Sequence, residues 1–135
     1  MGRRPSAYVD TSALIAFVDR SDTHHPVFRR LFADPPPLLT STLVVAEGHG
    51  WFLRRYDQSR ALMFLALVED LTPLDVQAVD ATDLGDGTAL LRRFSDQPLT
   101  LTDAVGLHLM QTRRISICWS TDRHLGLTGA ELVIG

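Results

Sequence analysis

The chain alternates short apolar runs with longer helical stretches along its whole length. That alternation restricts it to an α/β fold with a parallel sheet and helices on both faces. The clearest strand-like runs are Ala7-Tyr8-Val9, Leu38-Leu39-Thr40, Pro98-Leu99-Thr100-Leu101 and Ile115-Ser116-Ile117-Cys118-Trp119. A weaker run covers Leu71–Val76, and a short last one covers Leu132–Ile134. Between them, Thr11 or Ser12 caps a helix through Val18. His24-His25-Pro26 opens a second helix that runs to Phe32, with proline at a tolerated first-turn position. Pro35-Pro36-Pro37 stops it. Ser41 or Thr42 caps a long helix to Tyr56, and Asp57 caps another from Gln58 to Asp70. Asp80 caps a helix to about Phe94, in which Gly85 and Gly87 cost stability. Asp103–Thr112 is the last helix. Residues 1–135 read as a single domain, within the usual range of roughly 50–200 residues.

Four acids follow the strand-like runs directly or after one helical turn: Asp10, Glu47, Asp103 and Asp122. In an open parallel sheet the carboxyl ends of the strands share one edge, where ligands bind. Acids from distant parts of the sequence therefore meet in one crevice. Clustered carboxylates raise one another's pKa unless something positive lies between them. A hard divalent cation such as Mg²⁺ takes oxygen ligands and in turn points to phosphodiester chemistry. Each acid also has an ordinary reading. Asp10 begins a helix, Glu47 lies at a helix edge, Asp103 favours a helix dipole, and Asp122 is a turn residue. The weight rests on the setting they share.

The formal net charge is −3, which by itself argues against nucleic acid. All 13 basic residues are arginine, however, and eight fall in the doublets Arg29-Arg30, Arg54-Arg55, Arg92-Arg93 and Arg113-Arg114. Each doublet lies near the end of a predicted helix, where cations complement the dipole. Arginine also binds phosphate oxygens through its planar fork. The longest mainly apolar stretch, Ala61 to Val68, is far shorter than the about 20 residues that cross a membrane. No apolar signal segment follows the N-terminus, because Asp10 and Asp19 interrupt it. The expected location is cytoplasmic, with no membrane partner. The single Cys118 excludes an internal disulfide and reads as a small buried hydrophobe.

Other site chemistries find no support. There is no Gly-x-Gly-x-x-Gly, and a phosphate-binding loop with lysine is impossible without lysine. No Gly-x-Ser-x-Gly elbow is present. His24, His25, His49, His108 and His124 lack structural zinc spacing. His108 lies in an apolar helix and reads as packed, whereas His124, close to Asp122, is a candidate phosphate contact.

Four segments carry a family resemblance: Tyr-Val-Asp-Thr-Ser-Ala-Leu-Ile-Ala at 8–16, Thr-Ser-Thr-Leu-Val-Val-Ala-Glu at 40–47, Leu-Thr-Leu-Thr-Asp-Ala at 99–104 and Ser-Thr-Asp-Arg-His-Leu at 120–125. In order and spacing they resemble the PIN-domain ribonucleases, most of all the VapC-like toxins of toxin–antitoxin pairs. The resemblance implies a three-layer α/β/α sandwich and Mg²⁺- or Mn²⁺-dependent RNA cleavage. Asp10, Glu47, Asp103 and Asp122 match the family's four acids, with Asp10 and Asp103 at its principal metal ligands. Thr11, Ser12 and Ser120 match its small hydroxyl residues. Leu125 stands where an aromatic is common, and Asp96 ranks below the four acids.

On this reading the acids hold one or two metal ions that activate water for in-line attack on RNA. The expected partners are RNA and a cognate antitoxin. A homodimer is expected from the apolar excess of the helices around 43–56 and 58–70, which include Trp51, Phe52, Leu62, Met63, Phe64 and Leu65. The alternatives are an RNA-processing nuclease of the same fold without an antitoxin, a catalytically silent binding module, and a phosphatase of small phosphoesters.

Overall fold

β1 (Ala7–Val9) is the middle strand of the sheet and is wholly buried. The computed structural model describes residues 4–134. Its five strands lie in the order β3-β2-β1-β4-β5, and every pairing is parallel. The other strands are β2 (Leu38–Ser41), β3 (Leu74–Gln77), β4 (Ile117–Trp119) and β5 (Glu131–Val133). Ala7 lies opposite Leu38 on one side and Ile117 on the other.

Residue alternation along the central strands assigns the two faces. Ala7, Val9, Leu38 and Trp119 point into a core shared with α1 (Thr11–Val18), α2 (His25–Ala33), α3 (Thr42–Arg55) and α4 (Gln58–Asp70). Tyr8, Leu39 and Cys118 point the other way, toward α5 (Ala81–Arg93) and α6 (Leu101–Thr112). A strand covered on both faces has no polar side to present, so these runs are short and almost purely apolar. The result is the expected α/β/α sandwich.

On the first face, α3 and α4 approach closely because Gly48 has no side chain. A Cβ there would stand 2.3 Å from Cζ of Phe64, itself fully buried. Phe64 in turn stacks on Phe52 with ring centroids 5.2 Å apart.

The helix ends follow local chemistry. The Ser41 hydroxyl accepts from the Val44 amide at the start of α3, and the Asp57 carboxylate accepts from the Arg60 amide at the start of α4. Asp80 and Asp83 form a reciprocal capping box on α5, which carries that helix through Gly85 and Gly87.

The run at 98–101 is not a strand. Residues 98–100 are loop, and α6 begins at Leu101 rather than Asp103. Thr100 and Asp103 form a second capping box, in which the Thr100 hydroxyl takes the Asp103 amide and the Asp103 carboxylate takes the Thr100 amide. This reciprocal bonding starts a helix where hydrophobicity alone suggests a strand. The sheet takes β3 instead, at Leu74–Gln77, shifted from the expected 71–76.

Candidate active site

The strand order reverses direction at β1. From β1 the chain passes outward through β2 to β3 and then returns to place β4 on the other side of β1. Such a switch point opens a crevice at the carboxyl edge of the sheet. A cavity of about 380 Å³ lies there, and Asp10, Glu47, Asp103 and Asp122 all line it. Each acid comes from a different segment: the residue after β1, the middle of α3, the first turn of α6 and the loop after β4.

Asp10 sits at the N-cap position of α1, yet its side chain caps nothing. Its Oδ2 instead accepts hydrogen bonds from the hydroxyls of Ser12 and Ser120, both at 2.9 Å. The same two hydroxyls accept backbone amides of the following loop. Ser12 Oγ takes the Thr121 amide at 3.0 Å, and Ser120 Oγ takes the Asp122 amide at 2.8 Å. Only 4% of Asp10 is exposed. Burial, reinforced by the charge of Asp103, pushes its carboxyl up to about 6, and the serine hydrogen bonds oppose that rise.

Asp103 is 8% exposed. Burial raises its pKa, as do the charges of Asp122 and Glu47, while the Thr100 hydrogen bonds pull the other way. The carboxylates therefore act on one another as a charge cluster. Asp122 has one oxygen engaged locally: Oδ1 accepts the His124 amide at 3.0 Å and lies 2.8 Å from His124 Nδ1. His124 thus packs against a site acid rather than standing free for phosphate. Glu47 projects from α3, half-buried.

The family model for the PIN domain matches residues 7–130. The chain belongs to the PIN domain family. Among solved structures, this PIN domain is similar to VapC20 of Mycobacterium tuberculosis, described as a sarcin–ricin loop cleaving toxin. The two share 25% identity with a TM-score of 0.85, over 96% of this chain and 98% of that one. A toxin–antitoxin complex from Klebsiella pneumoniae shares the fold at 19% identity and a TM-score of 0.62, over 94% of this chain and 95% of that one. So does VapBC2 from Rickettsia felis, solved with a DNA fragment from its promoter, at 11% identity and a TM-score of 0.68, over 95% and 97%. Comparison with proteins of curated function gives no match. The PIN domain is VapC-like.

Most other residues of this PIN domain named from sequence fall as expected, and the apolar surface only in part. Asp96 is exposed in the turn after α5, and it is not among the residues lining the acid cavity. His108 is packed, as expected, with Nε2 3.2 Å from Asp83 Oδ1. Cys118 is fully buried, as expected of a small hydrophobe, and burial together with the charges of Asp10, Asp122 and Asp103 pushes its thiol far up. Of the apolar residues expected to form a partner surface, Phe52 and Phe64 are core. Leu62 and Met63 remain exposed, at 53% and 52%. Among the described residues, no helix is long and apolar enough to cross a membrane.

Ile15, Trp51 and Thr100 also line the cavity without having been assigned to the site from sequence, and of the arginine doublets only Arg54 reaches it; Trp51 and Arg54 share a signal. They follow Glu47 by one and two helical turns, which puts all three on one face of α3. That spacing was the available signal.

The donor set suits a divalent cation. Four carboxylates line the cavity with Arg54 as the one arginine among its lining residues. The buried hydroxyl of Thr11, also at the cavity wall, has no hydrogen-bond partner among the described residues. Unpaired oxygen donors around concentrated negative charge are what a hard cation requires. Among the described residues, no three His, Cys, Asp or Glu side chains come close enough to chelate one ion directly.

Proposed function

We propose that this PIN domain is a Mg²⁺- or Mn²⁺-dependent endoribonuclease and the toxin of a toxin–antitoxin pair. One observation carries the reading: four carboxylates from four separate segments line one cavity, and burial with mutual repulsion leaves Asp10 and Asp103 short of positive charge. Asp10 and Asp103 would hold the cation directly, with Glu47 and Asp122 holding its waters or a second ion. When bound, the cation supplies Lewis-acid and water-activating chemistry for phosphodiester hydrolysis. Ser12 and Ser120 fix the orientation of the Asp10 carboxylate, and their hydrogen bonds favour its ionised form. Ser120 also ties the loop bearing Asp122 to Asp10. Membership of the PIN domain family and the likeness to VapC20 support nuclease activity and the toxin role.

The partners on this reading are RNA and a cognate antitoxin, and the toxin works as a homodimer. Exposed Leu62, Met63 and Leu67 on α4 offer apolar surface for such contacts. The deciding experiment incubates RNA with the purified protein and Mn²⁺. Cleavage is expected, EDTA stops it, and Asp10→Asn and Asp103→Asn abolish it while the circular dichroism spectrum stays native. Cleavage by both variants in EDTA would overturn the reading. Expression without a partner should arrest bacterial growth. Growth unaffected by an active nuclease would remove the toxin role and leave RNA processing.

A further inference from the structure

The acidic cavity has one wall of a different kind. Glu47, Trp51 and Arg54 succeed one another along a single face of α3, and all three line the cavity. Trp51 is half-buried and braced from behind: its ring meets Phe52 edge-on at 4.9 Å and Tyr56 edge-on at 6.2 Å. One part of the indole is thus fixed by packing while another faces the cavity. Arg54 is exposed and has no carboxylate within ion-pair distance among the described residues, although four acids line the same cavity. Its guanidinium lies back along α3 over Gly50, where a Cβ would come 3.0 Å from Nη1. The neighbouring arginine does something else: Arg55 packs over the Tyr56 ring at 5.0 Å. The doublet is therefore split between a structural cation and a free one.

Resting on the nuclease reading above, we propose that Trp51 stacks an unpaired base of the substrate RNA and that Arg54 holds a phosphate flanking the cleaved bond. The two are specificity and positioning residues for single-stranded or loop RNA. The chemistry favours this pairing of roles. An aromatic face accepts any base once the base is unstacked from its neighbours, and a base in a duplex cannot present its face. A braced indole loses little freedom on stacking. An arginine at the rim of an acidic cavity offsets the repulsion that an incoming phosphate meets from Asp10, Glu47, Asp103 and Asp122, and its fork binds phosphate oxygens in pairs.

The test titrates short single-stranded RNA of random sequence into the cleavage-dead Asp103→Asn protein, wild type at Trp51 and Arg54, at several salt concentrations, following tryptophan fluorescence, with cleavage of the same RNA and of a matched duplex by the active protein in Mn²⁺ measured in parallel. Trp119, 4% exposed in the core, is the only other tryptophan. RNA should quench the wild type and leave W51F unquenched. W51A should weaken binding about tenfold with the salt dependence unchanged, and W51F should recover most of that loss. R54Q should flatten the slope of log K against log salt by about 0.7, the share of one phosphate contact on a single strand. Arg54 is exposed, so R54Q tests the phosphate contact without disturbing the core, and W51F keeps the packing that W51A removes. Quenching that persists in W51F, or a wild-type salt slope in R54Q, overturns the assignment while leaving the nuclease intact. A wild type that neither binds nor cleaves RNA overturns the nuclease reading itself.

Discussion

Ser120 donates a hydrogen bond from its hydroxyl to Oδ2 of Asp10 across 110 residues of sequence, at 2.9 Å and out of contact with solvent. The bond joins the end of β4 to the end of β1, and the Ser120 hydroxyl oxygen in turn accepts the amide of Asp122. Hydrogen bonds to charged groups contribute about 1.5–3 kcal/mol. Ser120→Ala should therefore destabilise the protein by about 2 kcal/mol at neutral pH. The loss should shrink near pH 4, where Asp10 carries a proton. RNA cleavage should fall roughly 10–100-fold, the usual effect of removing a residue that orients a metal ligand. Melting curves at both pH values check the first statement. A loss of stability independent of pH would mean that Ser120 serves the loop and not the Asp10 charge.

The pH dependence of the metal-free protein should carry the mark of Asp10. Its carboxyl ionises at about 6 in the fold, against an ordinary value of 3.8. A raised folded value means that the folded state holds the proton more tightly. The stability this gives is complete below about pH 3.8 and is lost as pH rises through 6, by up to roughly 3 kcal/mol. Asp19 works in the opposite direction. Hydrogen bonds from Ser21 and Tyr56 outweigh the effect of its burial and hold its carboxyl below the ordinary range, so its contribution is present at neutral pH and lost in acid. Subtracting the stability profile of Asp10→Asn from that of the wild type isolates the first effect. Parallel profiles between pH 4 and 7 would contradict it.

Mn²⁺ should raise the melting temperature of the wild type, because an ion that binds only the folded state stabilises it by about 2.7 kcal/mol at a hundred times its dissociation constant. Asp103→Asn should gain less. Without metal, that variant should melt at or above the wild-type temperature, since it removes one charge from a repelling set. A large drop for metal-free Asp103→Asn would identify the capping box as the main role of Asp103.

Gly48→Ala tests the close approach of α3 and α4. Alanine gains about 1 kcal/mol of helix propensity over glycine. The new methyl would meet the ring of buried Phe64 at 2.3 Å, and overpacking of this kind costs about 1–3 kcal/mol. The clash wins, because Phe64 is wedged against Phe52 and cannot swing away. Calorimetry should record a fall of about 5 °C. Gly85→Ala makes the control, since no atom stands within 4 Å of a Cβ there, and it should be neutral or stabilising.

Asp10 and Asp122 were legible in the sequence because each follows an apolar strand that the chain must bury, and a parallel sheet delivers such ends to one edge. Asp103 was found for an incomplete reason. The run before it is not a strand, and its position comes from the bonds it exchanges with Thr100. Pattern reading misjudges such a segment because leucines at 99 and 101 alternate with threonines whether the backbone is extended or is about to turn. Trp51 read from sequence as partner surface, and Arg54 was one of four equivalent doublets, because an aromatic and a cation at helical spacing are ordinary in any long helix. Only the packing shows which part of the indole is left open. His124 was ambiguous for the same reason: nearness to Asp122 in sequence does not say whether the ring pairs with the acid or faces away.

The bond from Ser120 to Asp10 has a consequence for the order in which the protein is made. A growing chain that has reached Asp103 already holds three of the four acids, yet β4 has not been synthesised and Asp10 has neither its Ser120 donor nor the loop that bears Asp122. Domains fold as units, and β4 is the strand that completes the central pairing of β1. The acid-lined cavity is thus a late product of translation: a ribosome-bound intermediate carries three of the four acids while lacking the part that aligns them.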